Sequence, residues 1–163
     1  MIALAALALL AAPMASATPA PGEGAGQAAQ GMAAAPDSSA AAEIRAAEAH
    51  LIADLEGDDR LAWVKDYTED AVFQEGEGAP VSGRAALTEL AGQMPPLSNV
   101  SIEPVRTMVE GRLAYVQIRG GYASGKGAAA GPVERFRGVM IWRKDPDGVW
   151  RMLHEMLAPD PGR

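Results

Sequence analysis

The hydrophobic period of this chain changes once, near Asn99, and that change constrains the fold more than any other feature. Upstream of it, apolar residues recur at helical spacing in "AAAEIRAAEAHLIADLEG", where Ile44, Ala47, Leu51 and Leu55 form one stripe. Ser39 is placed to cap this helix and Gly57 to stop it. Asp58 can cap a shorter helix, "DRLAWVKDY", with Leu61, Trp63 and Val64 inward. "AVFQE" reads as a short strand over residues 71–75, and "SGRAALTELAGQM" as a third helix behind Ser82. From Asn99 the period becomes two. "NVSIEPVRTMVEG", "RLAYVQIRGGYASG", "VERFRGVMIWRK" and "VWRMLHEMLA" are four successive strand candidates, separated by Gly111, "GKGAAAGP" and "DPDG". Helices followed by consecutive strands predict an α+β domain, a curved antiparallel sheet wrapped around N-terminal helices. The concavity between sheet and helices is where such a domain holds a pocket.

Residues 1–42 differ in kind. Ala, Gly and Pro supply 26 of them, none is aromatic, and only Glu23 and Asp37 are charged. "IALAALALLAAP" has the length of a signal-peptide core, and "ASA" at Ala15 to Ala17 offers small residues for cleavage. The expected organisation is a signal peptide over 1–17, an Ala/Gly/Pro-rich linker without fixed structure over 18–39, and a folded domain over 40–160. That organisation implies a periplasmic or secreted protein. A net charge of −7, with no run of like charges, argues against nucleic acid and against a membrane surface for the processed chain. The absence of cysteine removes disulfides, thiol catalysis and thiolate metal sites.

Alternation in the last two strands nominates a pocket wall. In "VERFRGVMIWR" it sets Glu134, Phe136, Gly138, Met140 and Trp142 on one side, and Arg135, Arg137, Val139, Ile141 and Arg143 on the other. In the final strand it groups Trp150, Met152, His154 and Met156, with Arg151, Leu153 and Glu155 opposite. The expected ligand pocket is therefore lined by Trp63, Phe73, Tyr115, Met140, Trp142 and His154. On that wall His154 is either a core histidine held by an acceptor or the polar anchor of an apolar cavity.

"GDDRLAWVKDYTEDAVFQEGEGAPVSGRAAL" resembles the front half of the SnoaL-like, or nuclear transport factor 2-like, superfamily. There a helix, Gly-Asp, a short helix, "(Y/F)xxDAxF", a loop, Gly and a helix follow in order. "GVMIWRKDPDGVWRMLHEMLAP" resembles the closing hairpin of the same superfamily, with Met156 where a second His is usual. The resemblance covers roughly residues 43–160 and implies the cone-shaped α+β fold. It leaves the activity open, because this fold hosts isomerases, cyclases, dehydratases and assembly modules. Matched to the ketosteroid isomerases, the base position falls on Glu75 and the helix tyrosine position on His50. The third catalytic position falls near Met140, which cannot donate a hydrogen bond.

Three readings follow. The first is a domain whose apolar pocket binds a small hydrophobic molecule. The second is an acid–base enzyme of isomerase, cyclase or dehydratase type, using Glu75 with His50 and His154. The third is a homo-oligomeric assembly module, a homodimer pairing through its sheet face. No nucleotide or phosphate motif is present and no cofactor is implied. Two histidines on different elements, without a clustered carboxylate pair, predict no metal site. What separates an enzyme from a binding module is convergence, two or more titratable groups reaching one point.

Overall fold

The computed structural model describes residues 38–162, so the expected signal peptide and all but the end of the expected linker lie outside the described residues. Helix α1 spans Ser38–Glu56, a 3-10 helix spans Ala62–Asp66, and helix α2 spans Arg84–Gln93. The strands are β1 (Tyr67–Glu75), β2 (Val81–Ser82), β3 (Leu97–Glu110), β4 (Leu113–Ser124), β5 (Val133–Lys144) and β6 (Trp150–Pro159). They form one open six-stranded sheet in the order β2-β1-β6-β5-β4-β3. The four long strands follow one another as antiparallel neighbours, as their short connections dictate. β1 and β6 instead run parallel, so the sheet is mixed. The α+β architecture expected from the change of period is the one observed.

Helix α1 buries Ala40, Ile44 and Leu51 against the sheet, with Ala47 and Leu55 half-covered beside them. Glu48 lies in the middle of that stripe and is buried too, so burial pushes its carboxyl up to about 7. Trp63 and Val64 of the 3-10 helix are buried, whereas Leu61, expected inward, is exposed. Arg60 ties this segment to α2 by donating to the carbonyls of Met94 and Gly92, the latter at 3.1 Å. On β5, Phe136, Met140 and Trp142 are buried facing the helices, as alternation requires.

One irregularity reorders the final strand. Trp142 pairs with Met152 and the adjacent Ile141 with His154, so Leu153 is an extra residue, a β-bulge. The bulge inverts the alternation beyond it. Trp150 and Met152 point into the core, but further on it is Glu155 and Leu157 that are buried, while Met156 is 47 % exposed. A single inserted residue therefore exchanges His154 for Glu155 on the inner face.

Candidate active site

The inner face of the sheet, α1, the 3-10 helix and the end of α2 enclose a cavity of about 220 Å³. Its walls are apolar, from Leu51, Leu55, Trp63, Phe73, Leu90, Met94, Val100, Ile102, Phe136 and Leu157. Phe136 fits because its cross-strand partner is Gly120, where a Cβ would stand 2.7 Å from the ring and collide with the Ser101 carbonyl. Besides Ser124, four polar side chains break this lining: Tyr67, Glu75, Tyr122 and Glu155.

These four make two carboxyl–phenol pairs. The Tyr122 hydroxyl donates to Glu75 Oε1 at 3.0 Å, where Glu75 is exposed at the end of β1. Deeper in, the Tyr67 hydroxyl donates to Glu155 Oε2. Glu155 is 5 % exposed. Burial pushes its carboxyl up to about 7; the Tyr67 hydrogen bond opposes this and the Glu75 charge adds to it. Burial also drives the Tyr67 phenol well above its usual range, with the Glu155 charge next in effect. The Tyr122 phenol moves up for the same two reasons, burial and then the Glu75 charge. Phe73 and Glu155 are direct neighbours across the parallel pair of strands, as are Glu75 and Leu157, which is how the two carboxyl groups come to share one cavity.

Tyr67 is held from outside the cavity. Arg84, the first residue of α2, donates to the Tyr67 carbonyl through Nη2 at 2.6 Å and Nε at 3.2 Å. These bonds fix the backbone where the 3-10 helix gives way to β1, and with it the direction of the phenol.

Of the residues nominated by sequence, Trp63, Phe73 and Glu75 line the cavity. Met140 and Trp142 face inward but lie in the packed core, not on the cavity wall. Tyr115 pairs with Ile141, opposite in direction to the buried Val116–Met140 pair, and so stands on the outer face of the sheet. His154 also stands on that outer face, paired with Ile141 and Val72. His50 is 64 % exposed and turns toward Asp66, its Nδ1 3.0 Å from Asp66 Oδ1. Neither histidine therefore reaches Glu75. The groups that do converge with it are Tyr67, Tyr122 and Glu155, of which only Tyr67 leaves a mark in the sequence, as the aromatic position of "(Y/F)xxDAxF".

The profile of the SnoaL-like domain matches residues 47–153. No curated protein matches the sequence. Among solved structures, the chain is similar to an NTF2-like protein with a cystatin-like fold from Novosphingobium aromaticivorans. The two are 21 % identical with a TM-score of 0.64, over 76 % of this chain and 83 % of that one. It is also similar to an NTF2-like protein of unknown function from Pseudomonas putida, at 18 % identity and a TM-score of 0.62, over 76 % of this chain and 89 % of that one. A ketosteroid isomerase-like protein from Erwinia carotovora atroseptica aligns with a TM-score of 0.61 at 16 % identity, over 74 % of this chain and 96 % of that one.

Proposed function

The chain belongs to the SnoaL-like domain family, and we propose that it moves a proton on a small, neutral, mostly apolar carbonyl compound bound in the cavity. The observation that carries this reading is the convergence of the Glu75–Tyr122 and Glu155–Tyr67 pairs on one apolar space. Glu75, at the open end, is the proton acceptor. Glu155, at the buried end, is the donor, because a carboxyl held up to about 7 keeps its proton through mildly acidic and much of neutral pH, and the Tyr67 hydroxyl, which donates to it, holds it in place. A base at one end and a donor at the other suit removal of a proton next to a carbonyl while the oxygen gains a hydrogen bond. Return of the proton at a different carbon gives isomerisation, and loss of a β-hydroxyl gives dehydration. The likeness to a ketosteroid isomerase-like protein fits this class of reaction. The Glu75 carboxylate and the apolar walls disfavour an anionic substrate.

The test is proton–deuterium exchange at the α-carbon of simple cyclic ketones and enones in D₂O, followed by NMR. The wild-type protein accelerates exchange, and Glu75→Gln lowers the rate by about 100-fold or more, the size of a removed general base. Exchange that survives in Glu75→Gln refutes the assignment. Binding of the same ketones without exchange leaves the cavity as a hydrophobic-ligand site only.

A second observation favours self-association as well. Met108, Leu113 and Met156 are exposed on the outer face of the sheet, beside the half-buried Val72, Tyr115, Val139 and Ile141. This apolar band runs across five strands, and a second copy of the chain is the occupant we assign to it.

A further inference from the structure

Away from the cavity, the fold builds a cluster that spacing along the chain does not reveal. His50 and Asp54 stand one turn apart on α1, and Asp66 closes the 3-10 helix. His50 Nδ1 lies 3.0 Å from Asp66 Oδ1 and 3.8 Å from Asp54 Oδ2, and one ligand atom of each residue lies within 4.8 Å of the other two. None of the three lines the cavity.

A metal ion held at about 2.0–2.2 Å by nitrogen and oxygen donors in tetrahedral geometry places those donors about 3.3–3.6 Å apart. The separations of 3.0 and 3.8 Å straddle that range, and the remaining gap closes by side-chain rotation of the exposed His50 and the half-buried Asp54. Asp66 supplies a second and independent sign. Its side chain is 16 % exposed, yet its Oδ2 is fully buried and accepts no hydrogen bond from any described residue. Two carboxylates thus face one imidazole. Of the cations acting on Asp66 from packed elements, Arg151 of β6 is already held by Asp145 at 3.2 Å and Asp147 at 2.9 Å. The Asp66 carboxylate thus keeps one oxygen that no described residue satisfies, while its other oxygen faces His50.

We propose that His50, Asp54 and Asp66 bind a divalent transition-metal ion of the Zn²⁺ class, with water completing its shell. One imidazole and two carboxylates suit such an ion, whereas the imidazole nitrogen is a poor donor for Ca²⁺ and Mg²⁺, which take oxygen ligands. The 64 % exposure of His50 provides the entry path. Sequence spacing hides the site because Asp66 lies 16 residues from His50 and the turn after α1 brings it back.

The test is titration of the metal-free, tag-free full chain with Zn²⁺ by calorimetry, with Co²⁺ absorption reporting the donor set. One ion binds per chain. His50→Ala and Asp54→Asn each weaken it by more than about 10-fold while the circular dichroism of the metal-free protein stays unchanged. His154→Phe, which removes the other histidine, leaves the affinity unaltered. The proposal fails if no one-to-one binding is seen up to about 1 mM Zn²⁺, or if both His50→Ala and Asp54→Asn bind as the wild type does.

Discussion

Replacing Glu155 with Gln should stabilise the protein at alkaline pH and do little at acid pH. The carboxyl is pushed up to about 7 from its ordinary 4.5. Between those values the folded state holds a proton that the unfolded chain has released, so stability falls as pH rises through that window. A tenfold difference in proton affinity between the two states is worth about 1.36 kcal/mol, which makes the full penalty about 3 kcal/mol at pH 8 and about 1 kcal/mol at pH 5. Gln removes the titration and keeps the shape, and its amide oxygen still accepts from the Tyr67 hydroxyl. Glu155→Gln should therefore gain about 3 kcal/mol at pH 8, equivalent to a rise of about 10 °C in Tm for a domain of this size. Urea denaturation of both proteins at pH 5 and pH 8 measures it. Burial raises Glu48 to a similar value, so the variant still loses stability with rising pH, with a smaller slope than the wild type. A variant no more stable than wild type at pH 8, or one stabilised equally at both pH values, refutes the placement of a protonated carboxyl in the cavity floor.

Three further outcomes follow from the same geometry. His154→Phe should leave the affinity of the cavity for a hydrophobic fluorescent probe unchanged and stability equal or higher, because the residue sits on the outer face with Nε2 buried and unpartnered; altered probe binding would return it to the pocket. Met156→Glu should convert a dimer to a monomer in sedimentation velocity without changing probe binding, since that residue is exposed within the apolar band; a wild type that is monomeric throughout ends the sheet-face assignment. A signal peptide over residues 1–17 predicts export and a mature chain that begins at Thr18 by intact mass; full-length protein recovered from the cytosol of the native host would contradict it.

The fold is legible in the sequence because its determinants are periodic. The stripe of Ile44, Ala47, Leu51 and Leu55 needs only the helical repeat, and the inward set Phe136, Met140 and Trp142 needs only strand alternation. The parallel pairing of β1 with β6 is different, since nothing in either segment marks it and it joins residues more than 80 positions apart. Alternation misplaces Tyr115 for a related reason. Its own strand alternates cleanly, but its parity relative to β5 depends on the register of pairing, and Tyr115 falls opposite Ile141 instead of Met140. Periodicity groups residues within an element, whereas register decides which groups meet.

The site itself is hidden by one residue. Strict alternation from Trp150 puts His154 inside and Glu155 outside, and a histidine among large apolar neighbours is the natural candidate for a pocket anchor. The bulge at Leu153 reverses every position after it, so the group delivered to the cavity is a carboxyl where an imidazole is expected. That exchange changes the chemistry. An inward His154 would have stood against an isolated Glu75. An inward Glu155 meets the Tyr67 hydroxyl and is raised by burial and by the Glu75 charge; in the proposed reaction it is the proton donor facing the proton acceptor. The pairing of two carboxyl groups, and with it the case for proton transfer over simple ligand binding, exists because β6 carries a residue that its neighbour β5 does not match.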